Sequence, residues 1–360
     1  MLAQTDTRLQ TFHPGWFATV MGTAIVGVVA YANPGDNPYV VNIAHGIGVG
    51  FLLLAWLAAV AVLIPFAARL ARHRDAAMAD LRHPVVGAMY GTLPAAILVL
   101  ASATATVGEA VLPAGVIVAI VAVLAVIGGI ISFVGSVVFT YMLFVSDQVA
   151  DEAVNGGWFI PPVVSIIIPL PLMALLPHVS ASGARLLLAT GYASFGIGFF
   201  LFLLVAAMLF ARLIRHSLPL ALLAPSLWIG LSPIGMGSVA LLRLAAGAAS
   251  HWGAAAGMIQ SGSLVAATVL WGFGLWWLAM AASLLVRYLK RGGLPFSVGW
   301  WAFIFPVGAY TLATLQLART WNIAVLEWIA VALFVVLAGF WGCVSVATVR
   351  AIRDGRAWQR

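Results

Sequence analysis

Ten apolar runs, each long enough to cross a bilayer, occupy most of this chain, at 14–32, 41–65, 84–106, 113–144, 158–177, 184–211, 218–242, 256–287, 297–317 and 323–350. A spanning helix needs roughly 17–25 mostly apolar residues. In hydrocarbon every peptide group must be satisfied within the protein, so runs of this length fold as helices. The remainder cannot form a water-facing surface: 8% of the 360 residues are charged and 64% are hydrophobic, against about 25% charged in a soluble domain. Soluble and disordered classes are thereby excluded. The reading is an all-α membrane protein forming one transmembrane domain over 1–360. The single cysteine, Cys343, lies in an apolar run and allows neither an intramolecular disulfide nor a cysteine-based metal site.

Basic residues set the orientation. With the N-terminus inside, the inner gaps hold Arg8, then Arg69, Arg72, Arg74 and Arg82, then Arg212 and Arg215. Arg287, Lys290 and Arg291 follow, and finally Arg350, Arg353, Arg356 and Arg360. The outer gaps hold only Arg185, Arg243 and Arg319. Fourteen against three obeys the positive-inside rule along the whole chain and places both termini on the cytoplasmic side of the cell membrane. The inner gap 145–157 carries Asp147, Asp151 and Glu152 instead; acidic residues contribute little to orientation, so it reads as a solvated loop. Ala30-Tyr31-Ala32 resembles a signal-peptidase site, but no clearly positive segment precedes the apolar core, so the first run reads as a retained span.

Prolines divide the spans into two kinds. Pro94 lies in span three, Pro161, Pro162, Pro169 and Pro171 in span five, Pro225 and Pro233 in span seven, and Pro306 in span nine. Spans four, six, eight and ten have none in their interiors, and Pro65 falls at the expected end of span two. Broken backbone is tolerated at membrane depth where protein buries it or it lines a cavity. The alternation therefore predicts five helical hairpins, with odd helices inside and even helices outside, a repeat pattern common among transport proteins.

The odd spans also carry small or polar residues at helical spacing: Thr19, Thr23 and Gly27; Gly87, Gly91 and Pro94; Pro161, Ser165 and Pro169; Ser226, Gly230, Pro233 and Gly237. Such a stripe lines a path or forms a close packing seam, and spacing alone allows both. Chemistry for other functions is missing. No H-E-x-x-H, phosphate-binding loop or G-x-S-x-G occurs, and no ionisable group is expected at mid-depth. His45, near the outer start of span two, reads as an interfacial histidine. These observations point away from an enzyme and from any bound cofactor; the rival, a membrane-embedded enzyme or redox subunit, would need cofactor ligands within the spans. A pore without buried charge favours anions weakly, through hydroxyls, helix-end N–H groups and a basic rim.

Several segments resemble the tellurite-resistance/dicarboxylate transporter family, which includes plant slow anion channels, the fungal malate permease and the yeast sulfite efflux pump. They are His13-Pro14-Gly15-Trp16-Phe17-Ala18-Thr19-Val20-Met21-Gly22-Thr23, Arg82-His83-Pro84, Trp158-Phe159-Ile160-Pro161-Pro162 and Gly299-Trp300-Trp301-Ala302-Phe303-Ile304-Phe305-Pro306. The likeness runs over essentially the whole chain. It implies a quasi-fivefold arrangement of hairpins around a central pore, commonly as a homotrimer, carrying a small anion: a C4-dicarboxylate such as malate, a sulfite- or tellurite-type oxyanion, or, as a gated channel, chloride or nitrate. It also implies an aromatic plug from span nine, at Phe305 just before Pro306. With that plug, the expected lining is Thr19, Thr23, Gly91, Pro94, Ser165, Pro169, Gly230, Pro233 and Pro306. In span seven Met236 stands where the sulfite-pump pattern has a polar residue.

Overall fold

Ten helices long and apolar enough to span a membrane are present in the computed structural model, which describes residues 8–32, 38–146 and 149–358. Asp147 and Arg360 lie outside the described residues. In order, spans one to ten are Pro14–Tyr31, Pro38–Arg72, Val86–Ala110, Ala114–Phe144, Gly156–His178, Ala181–Arg215, Ala221–Ala248, Gly253–Lys290, Val298–Trp321 and Ala324–Arg353. A short amphipathic helix, Arg74–Arg82, joins spans two and three.

The two kinds of span differ as the prolines predict. In their most apolar windows the odd spans have between 61% and 94% of residues buried, and the even spans between 17% and 28%. The odd spans therefore form the interior, and the even spans present their apolar faces outward, where lipid replaces protein as the partner. Spans four, six, eight and ten are unbroken α-helices. Span two is too, and Pro65 lies within it, not at its end: the helix continues to Arg72. A proline interior to a helix removes one N–H donor, and neighbouring backbone can take up the local adjustment.

Every odd span is interrupted near its N-terminal end. Short 3₁₀ segments Pro14–Trp16, Gly156–Phe159, Ala221–Gly230 and Val298–Phe303 precede the α-helices of spans one, five, seven and nine. In span three the short helix Val86–Met89 precedes Thr92–Val107. Local chemistry explains these starts. His13 Nδ1 accepts the Gly15 N–H at 3.0 Å, Asn155 Oδ1 accepts the Gly157 N–H at 2.7 Å, and His83 Nδ1 accepts from Val85 and Val86. Each cap fixes the turn at which the chain enters its span.

Packing follows one repeated rule. Each odd span packs against its following even span and against the next odd span, and span nine returns to pack on span one, closing a ring of five. The interrupted inner segments close a ring of their own, one against three, three against five, five against seven, seven against nine and nine against one. Two side-chain bonds tie that collar: Thr92 donates to the Pro14 carbonyl at 2.9 Å, and the Trp158 indole donates to the Pro84 carbonyl at 2.9 Å. The segments that carry the family resemblance are thus the parts of this inner collar.

Glycine sets how closely the inner helices approach. A Cβ on Gly235 of span seven would lie 2.5 Å from the Ala309 backbone carbon of span nine, and one on Gly308 would lie 2.7 Å from the Ile25 side chain of span one. Backbone cannot yield as a side chain can, and overpacking costs about 1–3 kcal/mol. Gly235→Ala is therefore expected to lower the unfolding midpoint in detergent clearly; an unchanged midpoint would contradict the tight crossing of spans seven and nine.

Candidate functional site: a basic vestibule above an aromatic constriction

One cavity, of about 390 Å³, is lined by residues from all five odd spans. Val28 comes from span one, Ser102 and Thr106 from span three, and Met173 from span five; Val239 and Arg243 come from span seven, and Leu312, Gln316 and Arg319 from span nine. No even span contributes a lining residue. Its position on the axis follows from the closed ring. All of its lining lies toward the C-terminal ends of the odd helices, so it opens at the end opposite the collar.

Among the described residues its charged groups are of one sign. Arg243 and Arg319 are its charged lining residues, beside Ser102, Thr106 and Gln316. The Arg319 guanidinium donates to the Ala32 carbonyl at the end of span one, which holds it across the mouth. Arg243 has no hydrogen bond or ion pair among the described residues and is exposed to the cavity. Helix-borne cations at an aqueous mouth concentrate anions, because field lines focus in a cleft with low-dielectric walls. Arg185, the third outer arginine, lies at the start of span six and does not line the cavity.

On the collar side of the vestibule lie buried residues of spans seven and nine. On span nine, Phe305, Leu312 and Arg319 recur every seven residues, close to two helical turns, so they share one stripe. Phe305 is fully buried and sits about 10 Å inward of Leu312 at ~1.5 Å rise per residue. It differs from its neighbour Phe303, whose ring packs edge-on to Trp228 at 5.6 Å and against Phe340 at 5.3 Å. Phe305 has no aromatic ring contact among the described residues. On span seven the same two-turn step leads inward from Val239 to Ser232, whose hydroxyl is buried without a hydrogen-bond partner. Because Gly235 meets Ala309 and Tyr310, Ser232 and Phe305 lie at similar depth.

Four residues expected to line the path have partners on their own or neighbouring helices. Thr23 accepts a hydrogen bond from the Trp341 indole of span ten at 3.2 Å, and Thr19 donates to the Trp16 carbonyl at 2.8 Å. Both face a separate cavity between spans one, two and ten. Gly230 abuts Trp277 of span eight, and Gly91 abuts Ile160 of span five. Gly27 and Gly237 likewise meet spans two and eight. At these glycines the missing side chain lets helix axes approach. Pro94, Ser165, Pro169, Pro233 and Pro306 are buried within the ring, and none of them lines the vestibule. Arg243, Arg319, Ser102, Thr106 and Gln316 were not expected as lining. For Arg319 the signal was present, in the seven-residue step from Phe305 through Leu312; the others had none.

Comparison with known proteins fits this geometry. Residues 11–349 match the family described as voltage-dependent anion channel (SLAC1). The chain belongs to this family. An uncharacterized transporter of Methanocaldococcus jannaschii is 32% identical over 363 residues, covering 100% of this chain and 99% of its own. The sulfite efflux pump of Arthroderma otae is 26% identical, covering 95% of this chain and 91% of its own. A malic acid transport protein of Schizosaccharomyces pombe is 24% identical over 52% of this chain and 45% of its own. For a member of the SLAC1 family, a vestibule bounded by five helices and carrying two arginines is a suitable entrance for an anion.

A second buried constellation belongs to the framework. Arg69, in the last turn of span two, is fully buried and pairs with Asp80 of the helix Arg74–Arg82 at 2.6 Å. Its Nε donates to the Gln10 carbonyl at 3.0 Å and its Nη1 to the Tyr90 hydroxyl at 3.2 Å, which in turn donates to the Ala77 carbonyl. In sequence Arg69 is one of four inner-gap cations; in the fold it joins four chain segments. His45 stacks on Tyr31, ring centroids 4.1 Å apart, at the outer ends of spans one and two.

Proposed function

We propose that this protein moves a small anion along the axis of the five odd spans, entering or leaving through the Arg243–Arg319 vestibule and passing a constriction at Phe305. The observation that carries the reading is the vestibule itself, one cavity to which every odd span contributes and in which the charged side chains are arginines. Phe305 is the plug, and the buried Ser232 hydroxyl offers a hydrogen-bond donor to an anion at the same depth. The α-helical parts of the odd spans begin at Phe17, Thr92, Ile160, Leu231 and Ile304, so five helix N-termini with partial positive charge surround this level. Such a path binds anions through dipoles and hydroxyls, weakly enough to release them. Of the expected lining residues, Pro94, Ser165, Pro169, Pro233 and Pro306 stay in this reading as ring residues around the constriction.

The substrate class we favour is a sulfite-type oxyanion. The relatives named for sulfite efflux match nearly the full chain, whereas the malic acid relative matches half. Malate is the second reading, supported by the room in the vestibule and its two cations. The five hairpins are related by quasi-fivefold repetition, both termini face the cytoplasm across the cell membrane, and the chain assembles as a homotrimer. Orientation rests on the distribution of basic residues, and the trimer on the family resemblance. Proteoliposome flux with sulfite, malate, nitrate and chloride compared side by side tests the substrate; equal leakage of all four, matched by empty liposomes, would refute transport.

Arg243→Gln is expected to raise the half-saturating anion concentration about fivefold. A cation at a wet mouth contributes about 1 kcal/mol to a nearby anion. The effect should shrink as inert salt rises, since screening acts on exposed charge. Unchanged half-saturation at low salt would remove Arg243 from the path.

A further inference from the structure

A cavity of about 600 Å³ lies on the flank of the molecule, between spans two and ten and outside the ring. We propose that it is a binding site for an anionic phospholipid, with the headgroup at the collar end and an acyl chain along the groove. Spans two and ten meet at Phe51 and Trp341, whose rings pack edge-on at 4.7 Å. On the collar side of that contact the helices part. The groove runs from Leu54 to Pro65 on span two and from Trp341 to Ile352 on span ten. Either stretch is about 16 Å long at ~1.5 Å per residue, matching the ~15 Å depth of one leaflet's hydrocarbon. Its lips are exposed, with Leu54, Val349 and Ile352 open to the bilayer side.

What distinguishes this groove is unmet polarity. Trp16 Nε1, Trp358 Nε1 and Ser345 Oγ are buried without hydrogen-bond partners, and all three residues line it. Trp16 and Trp358 sit together at its collar end, ring centroids 6.0 Å apart, and Arg8 borders the same end. An indole N–H can only donate, and leaving a buried donor unmet costs about 1–3 kcal/mol. The phosphate and ester oxygens of a phospholipid are acceptors and carry the charge that Arg8 complements. Across the Phe51–Trp341 contact a second cavity of about 300 Å³, lined by residues such as Val40, Ile47 and Phe334, has among the described residues no unpartnered buried polar atom and no charged side chain. The headgroup therefore belongs at the collar end. That end faces the cytoplasmic leaflet on the proposed orientation; binding itself does not depend on it.

Native mass spectrometry of the full chain in a neutral detergent, titrated with phosphatidylglycerol or phosphatidylcholine, tests the site. The expected result is one retained phosphatidylglycerol per chain, preferred over phosphatidylcholine about fivefold, the ~1 kcal/mol of one basic residue near a headgroup. Ala61→Trp, which fills the groove at its exposed rim, should abolish retention, while Ala44→Trp in the second cavity should not. Arg8→Gln should bring the two lipids to parity and keeps the test open if Ala61→Trp does not fold. Equal retention in wild type and Ala61→Trp, or no headgroup preference, would overturn the proposal. So would an oligomer that carries no lipid and falls apart in Ala61→Trp, which would assign the groove to a second copy of the chain.

Discussion

Replacing Phe305 by alanine is expected to raise anion flux in proteoliposomes by about tenfold or more. The side chain is fully buried and lies on the stripe that leads through Leu312 to Arg319, and on the proposed path it is the plug. An anion crossing this level must displace an apolar ring, and each 1.4 kcal/mol removed from that barrier is about a factor of ten in rate. Phe303→Ala is the matched control. It removes the same ring two residues earlier, from the cluster with Trp228 and Phe340, and should cost about 3–5 kcal/mol of stability without raising flux. A Phe305→Ala protein that folds and conducts as wild type would remove the plug from the account. Saturable flux that falls in Phe305→Ala would instead make the ring part of a carrier's moving gate.

The second large effect concerns the collar side of the molecule. Asp80→Leu is expected to destabilise the protein by about 3–5 kcal/mol, the usual cost of leaving a buried charge unpaired. Arg69 is fully buried and its guanidinium is already committed to Gln10 and Tyr90, so it cannot swing into water. Adding Arg69→Met to Asp80→Leu should restore most of the loss, because a packed apolar pair replaces a desolvated ionic one at little cost. Unfolding midpoints of the two single variants and the double variant in detergent check this. Additive losses in the double variant would mean that the residues act independently.

Much of the fold was legible in the sequence because the bilayer leaves few solutions. Apolar run length fixed ten helices, and the proline pattern divided them into broken inner and continuous outer helices. Both follow from the need to satisfy peptide groups in hydrocarbon. Pro65 is the exception that limits the argument: it reads as a terminus but lies within span two, since one missing N–H does not end a helix supported by its neighbours. The closing of the ring, span nine onto span one, has no local signal, because it depends on contacts between distant segments.

The site was less legible than the fold. Thr19, Thr23, Gly91 and Gly230 lie at spacings that suit a path or a seam, and spacing cannot show the neighbours that three of them meet: Trp341 at Thr23, Ile160 at Gly91 and Trp277 at Gly230. Arg243 and Arg319 read as orientation charges in sequence. In the fold they belong to spans seven and nine, and the ring turns both onto one cavity. Arg69 is the converse case, an apparent surface cation that folding buries against Asp80.

The central claim is that anions travel through the vestibule enclosed by the five odd spans. Ala105 lines that cavity on span three, and Cys343 is exposed on the outward span ten. Sulfite flux, with malate and nitrate beside it, should be measured in liposomes bearing Ala105→Cys on a Cys343→Ser background, before and after a charged maleimide is added to both faces and washed away. The account predicts that modification stops most of the flux, that malate slows the modification, and that modifying Cys343 in the wild-type chain changes nothing. Complete labelling of the Ala105→Cys site with flux undiminished would place the anion path elsewhere in the molecule.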